Sequence, residues 1–387
     1  MKNQNKATIL GVGTELTTGQ IVNKNGSWIS EKLIPYGVET AAHIVVPDSR
    51  ELIFNALNYC AQNSDLIFVT GGLGPTSDDF TRELISEWSK TKLLFDETSW
   101  GHVQVRLTTR GFTVKDLQKQ QCFFPEGSTI LMNSQGTANG FQMKVETGFG
   151  PKHVFVLPGP PREIEAIWND SIVKWLFVHT QLFDKKITKS WDTLGVGESD
   201  VAVLVEKCLE NKWPDLKYDL GYRVHLPYVE VKFSFLKSQE NLAQNIVKQI
   251  DQTLNEITVL KNFDDITNQF SQLTSNYDFA FYDFVTGGYL HNRLSTHLKK
   301  YKNWMWKESL SPLDADFFAE EENFIALIPT GEHFETAILM FNFNGHSKSL
   351  EMSAPTKSPL MMERRKQFFA EMALIEFVKT YRAKTLV

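Results

Sequence analysis

The stretch Asp65-Leu-Ile-Phe-Val-Thr-Gly-Gly-Leu-Gly-Pro-Thr-Ser-Asp-Asp-Phe-Thr-Arg-Glu83 decides the fold. Leu66 to Val69 is a short unbroken apolar run, the pattern of a strand buried on both faces of a parallel sheet. Gly71, Gly72 and Gly74 then remove side chains from its carboxyl end, so backbone N–H groups can approach a ligand closely, as in phosphate-binding turns. Ser77 or Asp78 can cap a helix that continues through Leu84, Ile85 and Trp88, with Asp78 and Asp79 in its first turn. Open α/β folds bind ligands at such a strand–loop–helix junction.

The two carboxylates narrow the choice of ligand. They suit plain dipole complementation at a helix start, in which case the glycines form only a structural turn. They also suit a divalent cation held between carboxylate and phosphate, since Mg²⁺ is typically bound by one or two carboxylates plus substrate oxygens.

Outward from this stretch, Ala7 to Val12 reads as a first strand, followed by a helix through Trp28, Ile29 and Leu33 that Gly37 stops. Val38 to Val46 is a second strand. Ser49 is placed to cap a helix with Leu52, Ile53, Ala56, Leu57 and Cys60 on one face. The β-α-β-α-β-α order gives a parallel sheet with right-handed crossovers. It therefore brings Glu15, Asp48 and the Asp78/Asp79 pair to one edge. A helix from Thr98 to Arg110 and two strands, Phe141 to Val145 and His153 to Leu157, follow. Asn133 to Gly140 is a polar loop, either a plain connection or part of a pocket wall. Pro161 suits the first position of a helix running to about His179. Arg162 opposes the dipole of that helix; an anionic neighbour explains it, and so does solvation.

Near Gln181 the pattern changes to a small α+β region. It has strands over Ile187 to Val196 and Tyr228 to Leu236, and helices over Ser199 to Glu210 and Glu240 to Val259. A third region starts near Phe263. It has a strand at Phe279 to Phe284, a helix through Leu290, Leu294 and Leu298, and a strand at Phe324 to Ile328. A hairpin around Asn344-Gly345 and a helix from Pro359 to Ala383 complete it.

The chain has 387 residues, room for two or three domains, with 42% hydrophobic and 22% charged residues, as in ordinary soluble globular proteins. The net charge of −6 argues against general nucleic-acid binding. Three widely spaced cysteines make disulfides and zinc unexpected and suit a reducing, cytoplasmic setting. The early apolar run is too short for a signal peptide, and nothing approaches a membrane span.

Three motifs, Gly11-Val-Gly-Thr-Glu-Leu-Thr-Thr-Gly19, Thr70 to Thr81, and Leu157-Pro-Gly-Pro-Pro-Arg-Glu163, resemble the CinA family of competence/damage-inducible proteins. The first region is similar to the molybdopterin-binding MoaB/MogA-like fold. The resemblance implies an α/β protein of three domains. A three-layer MoaB/MogA-like nucleotide- or pterin-binding domain would span 1–180, a small α+β domain 181–261, and an α/β deamidase-like domain 262–387. It implies metal-dependent hydrolysis of ADP-ribose to AMP and ribose 5-phosphate. Asp79, Asp78 and Glu15 are then the catalytic candidates. Asp79 and Asp48 are candidate ligands of Mg²⁺, Mn²⁺ or Co²⁺. Gly71, Gly72, Gly74, Thr81, Thr14, Gly159 and Arg162 are candidates for binding the nucleotide. A homodimer is implied as well.

The last region departs from the family. Its nicotinamide mononucleotide deamidase domain carries the nucleophile in Ala-Glu-Ser-Cys-Thr-Gly-Gly, where this chain has Tyr282-Asp-Phe-Val-Thr-Gly-Gly288. Phe284 has no nucleophilic atom. The family's Tyr-Ser-Asn-x-x-Lys segment has no clear counterpart before Asp314. Pro329-Thr330-Gly331 and Arg364 or Arg365 stand where other family motifs would lie. Deamidation is therefore expected to be absent. The alternatives to a pyrophosphatase are a non-catalytic nucleotide- or pterin-binding or competence-linked scaffold protein and, against Phe284, a deamidase.

Overall fold

The computed structural model describes residues 6–181, 183–210, 215–295, 303–306, 322–330, 335–354 and 362–385. Leu298, the segment before Asp314, Gly331 and Pro359 lie outside the described residues. The chain forms two compact units, 1–186 and 187–387.

The first unit runs β1 (Lys6–Val12), α1 (Thr14–Thr17), α2 (Lys24–Leu33), β2 (Glu39–Val46), α3 (Arg50–Asn63), β3 (Leu66–Thr70), α4 (Thr81–Ser89), β4 (Leu93–Phe95) and α5 (Glu97–Thr109). It continues with β5 (Phe123–Pro125), β6 (Thr129–Leu131), β7 (Gly140–Thr147), β8 (Gly150–Leu157), α6 (Pro161–Ile167) and α7 (Val173–His179). Six strands form one sheet in the order β2-β1-β3-β8-β7-β6. β2, β1, β3 and β8 are parallel, while β7 and β6 add on antiparallel.

Every residue of β3 is buried, as a central parallel strand requires. Its side chains alternate between two cores. Ile67 and Val69 pack with Ile53, Leu57, Leu84 and Ile85 on one face. Phe68 packs with Ile29, Phe155, Ile164 and Trp168 on the other. Phe68 and Phe155 stack with centroids 4.8 Å apart. Fully burying each such side chain contributes roughly 1.5–3 kcal/mol. The result is a three-layer α/β domain with its strand ends free at one edge.

Three local expectations need correction. α4 begins at Thr81, after Phe80, which makes no capping hydrogen bond. Ser77, Asp78 and Asp79 instead lie in the turn before it. Thr81 N–H donates to Gly72 O (3.2 Å), drawing the chain back over the glycine turn before the helix starts. Ser49 sits at the start of α3 without a side-chain cap. Leu52 is solvent-exposed, and Ala61 occupies the buried face of α3 instead.

The second unit comprises β9 (Lys186–Leu194), α8 (Glu198–Leu209), β10 (Tyr218–His225), β11 (Tyr228–Leu236), α9 (Glu240–Thr253), β12 (Thr258–Lys261), α10 (Ile266–Thr274) and β13 (Ala280–Asp283). α11 (Tyr289–Arg293), β14 (Asn303–Trp306), β15 (Phe324–Thr330), β16 (Thr336–Phe343), β17 (His346–Ser353) and α12 (Met362–Thr385) follow. It contains a four-stranded sheet, β10-β11-β9-β12, and a five-stranded sheet, β14-β13-β15-β16-β17. The hairpin turns at Asn344 and Gly345, both with positive φ (50° and 73°), as a two-residue hairpin loop favours.

The expected boundary at 261 does not divide the structure into separate units. Tyr228 and Leu260, from the four-stranded sheet, belong to the same core as Phe270, Phe281, Leu327 and Phe369. The helix expected to reach Val259 stops at Thr253, and β12 follows. β10 and β14 have no counterpart in the expected strands. β10 is an edge strand with no fully buried residue, so it carries no clean apolar alternation.

Candidate functional site

A cavity of about 580 Å³ opens at the carboxyl edge of the six-stranded sheet. That is within the usual range for a small-ligand site. Glu15, Asp48, Asp78 and Asp79 line it, together with Gly71, Gly72, Gly74 and Gly159. The strand ends of β1, β2 and β3 thus bring their acidic residues to one place, as the parallel order predicts.

The glycine turn is built by close approach. Gly71 has φ 101°, and a Cβ there would stand 2.2 Å from Val12 O. Its N–H donates to Leu157 O (3.0 Å), tying β3 to β8. It is therefore not a phosphate donor, contrary to expectation. Gly72 O accepts from Thr81 N–H, and Leu73 O accepts from Arg82 Nη2 (2.7 Å). The N–H groups of Gly72 and Gly74 donate to no protein acceptor among the described residues. Arg82 is buried beneath the turn, and burial pulls its guanidinium down to about 10.

Asp48 and Asp79 are both held. Asp48 Oδ2 accepts from Thr14 N–H and Thr14 Oγ1, each at 2.8 Å. Asp79 Oδ2 accepts from Thr76 N–H (3.0 Å) and from the Thr76 hydroxyl. It packs on Gly74, where a Cβ would come within 2.3 Å of it. Gln120 Nε2 braces the same turn from outside through Asp79 O (3.1 Å). Glu15 and Asp78 are exposed.

Thr14, Thr81 and Arg162 are not where the expectation puts them. Thr14 clamps Asp48 and is not among the lining residues. Thr81 is buried against Gly72, and its hydroxyl has no hydrogen-bond partner among the described residues. Arg162 is exposed and is not among the residues that line the cavity. Its neighbour Glu163 lines the cavity instead, although no local sequence rule singles it out. Burial raises the Glu163 carboxyl, against the lowering by the Asn133 hydrogen bond and by Arg110 and Arg106. Asn25 is a second residue without a sequence signal; its Nδ2 donates to Gly159 O (2.8 Å) and fixes the proline loop.

The lining contains five carboxylates and no lysine or arginine. A phosphate entering this cavity needs a cation to neutralise it, so the donor set fits a divalent ion. Among the described residues no group of three His, Cys, Asp or Glu side chains is arranged to hold a metal. Such an ion would take one or two carboxylates and complete its shell with ligand and water oxygens.

Residues 8–177 match the family described as "Probable molybdopterin binding domain". The N-terminal region is thus similar to that family. The chain is also 29% identical over 292 residues to a competence-damage inducible protein of Desulforamulus reducens, covering 75% of this chain and 70% of that one. A namesake from Clostridium botulinum is 37% identical over 211 residues, 54% of this chain. The chain spans about half of that relative's length (49%). The crystal structure of the protein CinA from Thermoplasma acidophilum, titled as of unknown function, is 29% identical. It covers 45% of this chain and 99% of that one with a TM-score of 0.40. MoaB from Pyrococcus furiosus, titled a tungsten cofactor synthesizing protein, is 18% identical with a TM-score of 0.32, covering 47% and 99%. The chain is CinA-like, with a molybdopterin-binding-type domain at its N-terminal end. No helix among the described residues of this CinA-like chain is long and apolar enough to cross a membrane.

In the second unit, Phe284 is buried with Ala280, Tyr282, Phe324 and Ala326. Thr286 is the hydroxyl-bearing residue next in this segment. It is 2% exposed, and its hydroxyl donates to Asp283 while accepting from Leu290 N–H (3.1 Å).

Proposed function

We propose that the cavity binds a phosphorylated nucleotide and that the protein hydrolyses its pyrophosphate, ADP-ribose giving AMP and ribose 5-phosphate. One observation carries this reading. Carboxylates from three strand ends converge on a glycine turn whose Gly72 and Gly74 N–H groups lack protein acceptors among the described residues. In this reading Asp79 and Asp48 hold a divalent ion, Mg²⁺, Mn²⁺ or Co²⁺. Such an ion neutralises phosphate charge and lowers the pKa of bound water. Gly72 and Gly74 receive phosphate oxygens through their N–H groups. Glu15 accepts from a ribose hydroxyl. The family resemblance adds a homodimer and a cytoplasmic setting to the proposal.

The test is to incubate the protein with each metal and a panel of nucleotides and to identify products by mass. Asp79→Asn is expected to lower turnover at least 100-fold while the melting temperature moves by only a few degrees. Asparagine can still accept from Thr76, as side-chain caps of turns do, but it loses the charge. Near-normal turnover would remove the metal assignment.

A second reading, binding without turnover, is favoured by the hydrogen bonds that already occupy one oxygen each of Asp48 and Asp79. Calorimetric binding of a nucleotide or pterin phosphate with no product would establish it.

The second unit is proposed to keep a deamidase-like shape without the chemistry. Such a site needs an activated nucleophile. Phe284 supplies none, and Thr286 is committed to Asp283. Ammonia release from nicotinamide mononucleotide is therefore expected to stay at the blank rate. Release that disappears on Thr286→Val would show that Thr286 had taken over.

A further inference from the structure

We propose that Glu163 is the general base of this cavity, taking the proton from the attacking water. The inference rests on the hydrolytic reading above.

Glu163 is the third residue of α6, where Pro161 sits in the first turn and stiffens the start. Its Oε2 accepts from Asn133 Nδ2 at 2.7 Å. Asn133 is itself fully buried and locked. Its Oδ1 accepts from the N–H groups of Gln135 (3.0 Å) and Gly136 (2.9 Å), and its Nδ2 also donates to Ala138 O (2.9 Å). A Cβ on Gly136 would stand 2.3 Å from Glu163 Oε2 and 2.5 Å from Oε1, so the carboxylate packs directly against this glycine. One oxygen is thus fixed by the protein. Oε1 has no protein hydrogen bond among the described residues and remains for a ligand.

The other cavity carboxylates are less suited to moving a proton. Glu15 and Asp78 are exposed, and Asp48 and Asp79 are clamped by threonines. A useful base has a pKa nearer the operating pH than an exposed carboxylate has, and partial burial supplies that. The direction of the Glu163 shift agrees. The groups facing it are few. From α5 and the residue that follows it come Arg106 and Arg110, whose charges oppose the shift, and from α5 His102, whose ring meets Gly136 O at 3.1 Å. From the loop comes Asn133. The four acidic residues from the ends of β1, β2 and β3 line the same cavity.

In the step, the water oxygen forms a bond to phosphorus and the bridging P–O bond breaks. Its electron pair leaves with the departing phosphate, and the water proton passes to Glu163 Oε1. The balance needs no oxidant or further reactant.

The test is Glu163→Gln in the full chain, beside wild type, with ADP-ribose and Mg²⁺. Glutamine keeps the volume and can accept from Asn133. Turnover is expected to fall about 100- to 10,000-fold, the range for loss of a general base. Affinity for ADP-ribose should change less than threefold. In wild type, kcat/KM should rise with pH through a value above the ordinary carboxylate range. That limb should vanish in Glu163→Gln and persist in Glu163→Asp at a lower ceiling. Unchanged kcat, or a parallel loss of binding and turnover, would overturn the assignment while leaving the hydrolytic reading intact. Absence of turnover by wild type under all three metals would overturn both.

Discussion

Replacing Gly71 by alanine is expected to destabilise the first unit by roughly 3–5 kcal/mol, combining positive-φ strain with overpacking. Gly71 has φ 101°, where an L side chain rarely sits. The added methyl would stand 2.2 Å from Val12 O, a backbone atom of β1 that no rotamer change can move. β1 and β3 pair through Gly11 and Thr70 just beside it, so the strands must separate where the cavity opens. Nucleotide affinity should fall along with stability. Gly101→Ala is the matched control. Gly101 lies inside α5 with nothing within 4 Å of the added Cβ, so about 0.5–1 kcal/mol of stabilisation is expected from helix propensity. Urea denaturation of the two variants measures both. Equal midpoints would show that the turn tolerates a side chain.

The turn is legible in the sequence because Gly71, Gly72 and Gly74, coming directly after an apolar run, suit little besides a strand end where backbone must pass close to backbone or ligand. The apolar run itself has a length and pattern that fit a buried strand. The helix start is not legible. Ser77 and Asp78 are good caps by type, but Thr81 bonds back to Gly72, and the helix cannot begin until that bond is made. Glu163 stands inside a motif without drawing notice, because its meaning comes from Asn133, 30 positions earlier in the chain. Neither residue signals the other without the fold. Arg162 draws attention through a local rule about helix dipoles, and solvent outweighs that rule at an exposed position. The core shared across the two sheets of the second unit is hidden from the sequence for a related reason. Periodicity reports where sheets are, whereas the shared core depends on long-range contacts such as Tyr228 Oη to Glu371 (3.0 Å).

That contact belongs to a partly buried polar network whose disruption is the other large effect expected here. Arg293 donates to both Glu371 and Asp265, and Glu371 is only 2% exposed. Arg293→Met keeps most of the side-chain volume but leaves the Glu371 carboxylate buried with only Tyr228 as a donor among the described residues. Removing one partner of a buried pair costs about 3–5 kcal/mol, mainly from the stranded charge. The loss should also change the response to acid. Burial raises the Asp265 carboxyl, but hydrogen bonds from Arg293 and Thr267 outweigh it and hold it below its ordinary value. A depressed carboxylate contributes stability above its unfolded pKa of about 3.9 and loses it as pH falls through the folded value. With Arg293 gone, much of that depression goes too. Wild type should therefore lose stability more steeply than Arg293→Met below about pH 4, where the unfolded carboxyl titrates. Urea midpoints measured from about pH 3 to about pH 7 decide this. Parallel curves, or a loss below about 1 kcal/mol of the kind seen for exposed pairs, would mean the network is solvated and does not bind α11 to α12.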